Sequence, residues 1–85
     1  MTIETGKVYT FKMNSGEEMI AKVIGTANDN YTEIEHPVSV APGPQGMGLV
    51  PSMFTASPDQ NPLINMNCVA MYSLTDDAVK MKYIE

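Results

Sequence analysis

The chain contains no arginine; its five basic residues are all lysine, set against ten acids for a net charge of −5. Arginine is the residue best suited to a two-pronged grip on phosphate, and a nucleic-acid binder usually carries a basic footprint. Charge alone therefore argues against a general nucleic-acid protein. Cysteine is nearly absent too. Cys68 stands alone, so no internal disulfide can form, and with His36 the only histidine no metal-ligand spacing is present. No long apolar run occurs, so no transmembrane helix is expected and no membrane partner. Nor does the start of the chain carry the basic and apolar stretches of a secretion signal. One free thiol and no export signal point to the cytoplasm. No glycine-rich phosphate loop, catalytic triad or cofactor motif appears, which makes a non-catalytic protein without a cofactor the expectation.

The 85 residues fit a single domain, spanning 1–85. A domain of this size buries only roughly 60% of its unfolded surface. With disulfides and metals excluded, self-association is the remaining route to extra stability.

Hydrophobic periodicity is that of strands. Val8-Tyr9-Thr10-Phe11-Lys12-Met13 alternates, with Tyr9, Phe11 and Met13 on one face. Asn14-Ser15-Gly16 is a turn in which Gly16 is available for a positive φ. From Glu17 to Thr26 apolar residues fall on both faces. A helix competes there, but Val23, Ile24 and Thr26 are β-branched and favour a strand that bends across a barrel. Asn28-Asp29-Asn30 is the next turn. Tyr31 to Ala41 reads as a third strand with Thr32, Ile34, His36, Val38 and Val40 on one face, and Pro37 marks an edge or a bulge. Pro42 to Gly46 is a loop tip, and Gly48 to Ala56 returns as the partner strand. A second loop over Ser57 to Pro62 leads to a strand over Leu63 to Leu74, where Cys68 packs as a small hydrophobe. Thr75-Asp76-Asp77 then makes a tight turn into a last strand, Ala78 to Ile84. Strands at such close spacing, with no convincing helix, indicate an all-β barrel or sandwich.

The final hairpin is too apolar to stand at a solvated edge. Val69 and Met71 share one face of its first arm, opposite Ala70, Tyr72 and Leu74; Val79, Met81 and Tyr83 share a face of its second. A long apolar edge invites pairing with another chain, and closed ring symmetry supplies that partner. The expected oligomer interface is therefore Val69, Met71, Tyr72, Val79, Met81 and Tyr83.

Two segments resemble the sequence motifs of Sm-like proteins, the bacterial Hfq type included. "YTFKMNSGEEMIAKVIGTANDN" is similar to their first motif, with Gly16 at the turn glycine and Met13, Met19 and Val23 at apolar positions. "NCVAMYSLTDDAVKMKYIE" is similar to their second. The enlarged middle hairpin over residues 37–62 looks most like phage and bacterial variants. The resemblance implies a small, strongly bent, five-stranded antiparallel Sm-like (SH3-like) barrel. It further implies a ring of about five to seven copies that associates with single-stranded RNA. By the same resemblance the RNA would be held at Asn28, Asn30 and Tyr31, through hydrogen bonds and stacking, and at Thr75, Asp76 and Asp77. The chain departs from the family in four ways: Ala21 replaces a glycine, Asn28 to Tyr31 matches the first motif's end only approximately, Leu74-Thr75-Asp76-Asp77 replaces a basic turn, and the seven residues before Val8 leave little room for the family's N-terminal helix. Those departures leave a second expectation, an oligomeric ring that serves as a scaffold for protein partners with RNA binding weakened or lost. Under either, Lys80 and Lys82 on a shared outward strand face would repeat around the ring as a basic band.

Overall fold

A computed structural model describes residues 3–84. The chain runs β1 (Val8–Met13), β2 (Glu18–Thr26), β3 (Tyr31–Gly43), β4 (Gly46–Pro51) and β5 (Leu63–Asn65). A 3₁₀ turn (Met66–Cys68), β6 (Val69–Leu74) and a helix, α1 (Asp77–Ile84), complete it. All ladders are antiparallel. The order across the sheet is β4-β3-β2-β1-β6, and β5 pairs with the first residues of β3. The all-β architecture holds, with six strands and no closure by hydrogen bonds. Among the described residues β4 pairs only with β3, and β6 only with β1.

Alternation in β1 places Tyr9 and Phe11 in a core with Met19, Ala21, Val23, Ile34 and Ile64. Phe11 is fully buried. Its ring and that of Tyr9 lie 6.4 and 6.0 Å from Tyr72, within the range of favourable aromatic pairing. The β1–β2 turn uses Gly16 at φ 97°, a backbone angle that a Cβ makes costly.

Two of the three register shifts in the sheet set which side chains face the core. On β3, Ile20 pairs with Val38 but Lys22 pairs with Glu35, so His36 and Pro37 together stand against Ala21. Pro37 marks a bulge, as its missing N–H demands. The extra residue inverts the alternation. Ile34 faces the core, His36 is exposed, and Val38 lies beside Ile20 on the other side. The single shared face expected for Thr32 through Val40 is corrected accordingly. On β6, Lys12 pairs with Met71 and Met13 with Val69, which leaves Ala70 unpaired. Val69 and Tyr72 therefore both pack on the core, where strict alternation would separate them.

Three further expectations are corrected. Leu63 to Leu74 is two short strands broken by the 3₁₀ turn, and Cys68 is exposed in that turn. The last strand is a helix, so Val79, Met81 and Tyr83 stand on α1 and not on a hairpin arm. The cause is local. Asp76 Oδ2 accepts from the Ala78 and Val79 amides at 3.1 and 3.3 Å, an N-cap that satisfies two amides the helix leaves open. Asp77 sits in the first turn and Lys82 in the last, both favoured by the helix dipole. Finally, the two-sided burial of β2 reflects two covers on one sheet. The core lies against Met19, Ala21 and Val23. α1, Val40 and Leu49 lie on the side of Ile20, in a groove with Val79 and Thr10.

Candidate functional site

The outer edge of β6 is the first candidate. Its only ladder among the described residues is to β1, so its other edge presents unpaired backbone groups. Beside that edge Met71 is 66% and Leu74 53% exposed. Met66, Val69, Ala70, Met71 and Tyr72 line a shallow hollow of about 290 Å³ next to it. An apolar strand with a free edge is a template for another strand. The expected interface residues divide here. Met71 is open on the edge. Val69 and Tyr72 are half-buried against the core. Met81 is exposed on α1, Val79 borders the groove above Ile20, and Tyr83 is half-buried.

The residues expected to contact RNA fall in two places. Asn28 Oδ1 accepts from the Asn30 and Tyr31 amides at 3.0 and 3.1 Å, an Asx turn that occupies the side-chain oxygen. The Asn30 carbonyl accepts from the Met66 amide at 2.7 Å. Tyr31 is 37% exposed at the start of β3. Thr75 is buried, its hydroxyl 3.0 Å from that of Thr10, and its amide donates to the Val8 carbonyl. Asp76 caps α1 and Asp77 begins it. The two groups are not neighbours. The Val8↔Lys22 pair marks the Thr75 end of β1, and β2 runs on to Thr26↔Thr32 before the asparagine turn. That is about 13 Å along the strand at about 3.3 Å per residue.

A second candidate lies where α1 crosses the β3 bulge. The Tyr83 hydroxyl accepts from the Lys22 amide at 3.2 Å and donates to the Glu35 carbonyl at 2.8 Å. These two backbone groups face each other across the ladder, and the bulge parts them; the phenol bridges the gap. Burial pushes the Tyr83 hydroxyl above its ordinary acidity range; the Lys22 amide bond opposes the shift and the Glu35 charge adds to it. Around the bridge opens a cleft of about 630 Å³ that includes Lys22, Glu35, His36 and Lys80. His36 holds φ 51°, the one described non-glycine residue at positive φ. Lys80 faces this cleft, while Lys82 borders the groove and hairpin on the other side of α1. The two lysines thus do not form a common band. Sequence reasoning gave Pro37 as an edge position or a bulge but not the meeting of His36 with Lys22 and Lys80, because a helix delivers Lys80. The signal was present in Asp76, three residues before Val79, as a helix start.

No protein-family model matches the chain, and no curated protein matches it. Among the described residues no helix is long and apolar enough to cross a membrane.

Proposed function

We propose that this protein is a non-catalytic assembly protein. Copies join edge to edge through β6 into a closed homo-oligomer that acts as a scaffold. The observation that carries this reading is the free β6 edge with Met71 and Leu74 exposed beside it. The sheet order ends in β6 on one side and β4 on the other. Head-to-tail pairing of unlike edges continues from copy to copy and closes when the rotation per copy divides a full turn. It would extend the sheet by main-chain hydrogen bonds and remove both edges. The Sm-like resemblance points the same way.

Several features favour the scaffold over an RNA-associated ring. Asn28 Oδ1, Thr75 and Asp76 are engaged in internal hydrogen bonds, and no arginine is present. The RNA reading retains one supporting observation, the exposure of Tyr31 beside Asn30, a residue type that stacks on bases.

Size-exclusion chromatography with light scattering at micromolar concentration tests the reading. The expected result is an oligomer for the natural chain. Met71→Lys with Leu74→Lys should yield a monomer with unchanged strand signal by circular dichroism, because lysine on an edge blocks pairing. A monomeric natural chain would overturn the proposal. Short single-stranded RNA should leave elution unchanged at low salt; salt-sensitive binding would move the conclusion to the RNA-associated ring.

A further inference from the structure

The cleft under α1 gathers charge that the rest of the chain does not predict. Of five lysines and one histidine in a chain of net charge −5, Lys22, Lys80 and His36 line this one cavity. Among the described residues the single ion pair is Lys7 with Glu4, so neither Lys22 nor Lys80 is paired with a described acid. His36 sits at φ 51° immediately before Pro37, and proline narrows the conformations open to the residue ahead of it. Strained backbone of this kind persists where surrounding structure enforces it, and it concentrates at ligand sites. The walls are also held in place. Tyr83 ties α1 to β2 and β3 through the hydrogen bonds to Lys22 and Glu35, so the backbone that carries Lys80 is held against the backbone that carries Lys22. Such preorganisation lowers the cost of binding.

From this we infer a binding site for a phosphorylated small molecule, a phosphomonoester of nucleotide or sugar-phosphate size. Lys22 and Lys80 would hold the phosphate as point charges, with the His36 imidazole as a further hydrogen-bonding group. The volume of about 630 Å³ falls in the range of small-molecule sites, roughly 300–1,000 Å³, and is far larger than inorganic phosphate needs. Glu35 shares the cleft. Its carboxylate would disfavour a bare anion and accept from hydroxyl or amino groups, so the ligand carries donors at the end away from its phosphate. Val8 and Ile84 supply apolar wall for the body between. The site lies on β2, β3 and α1, and does not depend on assembly through the β6 edge.

Amide chemical-shift mapping on the full chain at low salt tests this. The probes are a nucleoside monophosphate, the matching nucleoside, glucose 6-phosphate and inorganic phosphate. The expected result is saturable shifts at Lys22, Glu35, His36 and Lys80 with a phosphomonoester, and at least tenfold weaker binding of inorganic phosphate and of the nucleoside. Comparison of the nucleotide with glucose 6-phosphate identifies which body the cleft takes. Lys22→Gln and Lys80→Gln should each weaken binding about tenfold, and His36→Gly a few-fold. Lys82→Gln, on the opposite side of the same helix, should change it less than twofold. Three outcomes would each overturn the assignment: no saturable shift with any probe at about 10 mM, nucleoside and nucleotide binding equally, or Lys82→Gln weakening binding as much as Lys80→Gln. Mapping on the natural chain stands whether or not a variant folds.

Discussion

Replacing Tyr83 by phenylalanine keeps the ring and removes only the hydroxyl, and so isolates the bridge over the β3 bulge. In the intact protein that oxygen accepts from the Lys22 amide at 3.2 Å and donates to the Glu35 carbonyl at 2.8 Å. A hydrogen bond contributes about 0.5–1.5 kcal/mol net, and an abandoned partner costs more when water cannot reach it. Tyr83 is half-buried, so water replaces part of what is lost. The combined loss is then about 1–2 kcal/mol for the docking of α1. An isolated helix of eight residues does not persist in water, and α1 contributes no fully buried residue. The loss should therefore appear as local opening of α1, not as global unfolding. Native-state amide exchange reads this directly. Amides from Lys80 to Tyr83 should exchange about 5- to 30-fold faster, the factor that corresponds to 1–2 kcal/mol. The Lys22 amide should accelerate most, since its acceptor is gone. The amides of Phe11 and Val23, in the core, should change far less. Unchanged exchange at Lys22 and α1 would mean that the hydroxyl bears no load, and the argument for a tethered helix would fail.

The same bridge predicts an alkaline transition. Burial raises the Tyr83 pKa, so the folded state favours the neutral phenol. Its stabilisation is full below about pH 10, the unfolded value, and is lost as pH rises through the raised folded value; helical signal and ultraviolet phenolate absorbance should change together there, and Tyr83→Phe should lack that coupled step. At the β1–β2 turn, Gly16 has φ 97° and nothing within 4 Å of where a Cβ would lie, so Gly16→Ala should destabilise by about 1–2 kcal/mol through backbone strain alone; an unchanged denaturation midpoint would contradict this.

Several features of the fold could be read from residue patterns of local range. The alternation over Val8–Met13 marks a strand, the β-branched residues of β2 outweigh the helix that competes there, and both segments are strands. Gly16 lacks the Cβ that makes a positive φ costly and Pro37 lacks the N–H that a ladder needs, and each sits where that property is called for. Facing was less legible. A bulge adds one residue and inverts every side chain beyond it, so Val38 and Val40 changed sides at His36-Pro37, and Val69 and Tyr72 came together across Ala70. The helix was hidden by a coincidence of spacing. Val79, Met81 and Tyr83 recur at every second position, which over so short a run matches a strand, while Asp76, Ala78, Lys80 and Lys82 suit a capped helix. The cleft was the least legible feature, because the contact that forms it joins residues 61 and 48 positions apart.

Replacing the final strand by a helix changes what the free edge is. Were residues 78–84 a strand paired to β6, they would satisfy its outer edge and become the edge themselves. As α1 they cover the side of the sheet that carries Ile20 and leave β6 outermost. The need for a partner strand therefore moves to Val69–Leu74 and does not disappear. This also separates the two proposals in space. Assembly draws on β6 and β4, at the two ends of the sheet order, whereas the cleft is built from β2, β3 and α1 between them. Met71→Lys with Leu74→Lys should dissociate the oligomer and leave the phosphomonoester titration in place. Lys22→Gln with Lys80→Gln should do the reverse. If either pair of substitutions abolishes both properties in a folded protein, the cleft is completed by a neighbouring copy and the two sites are one.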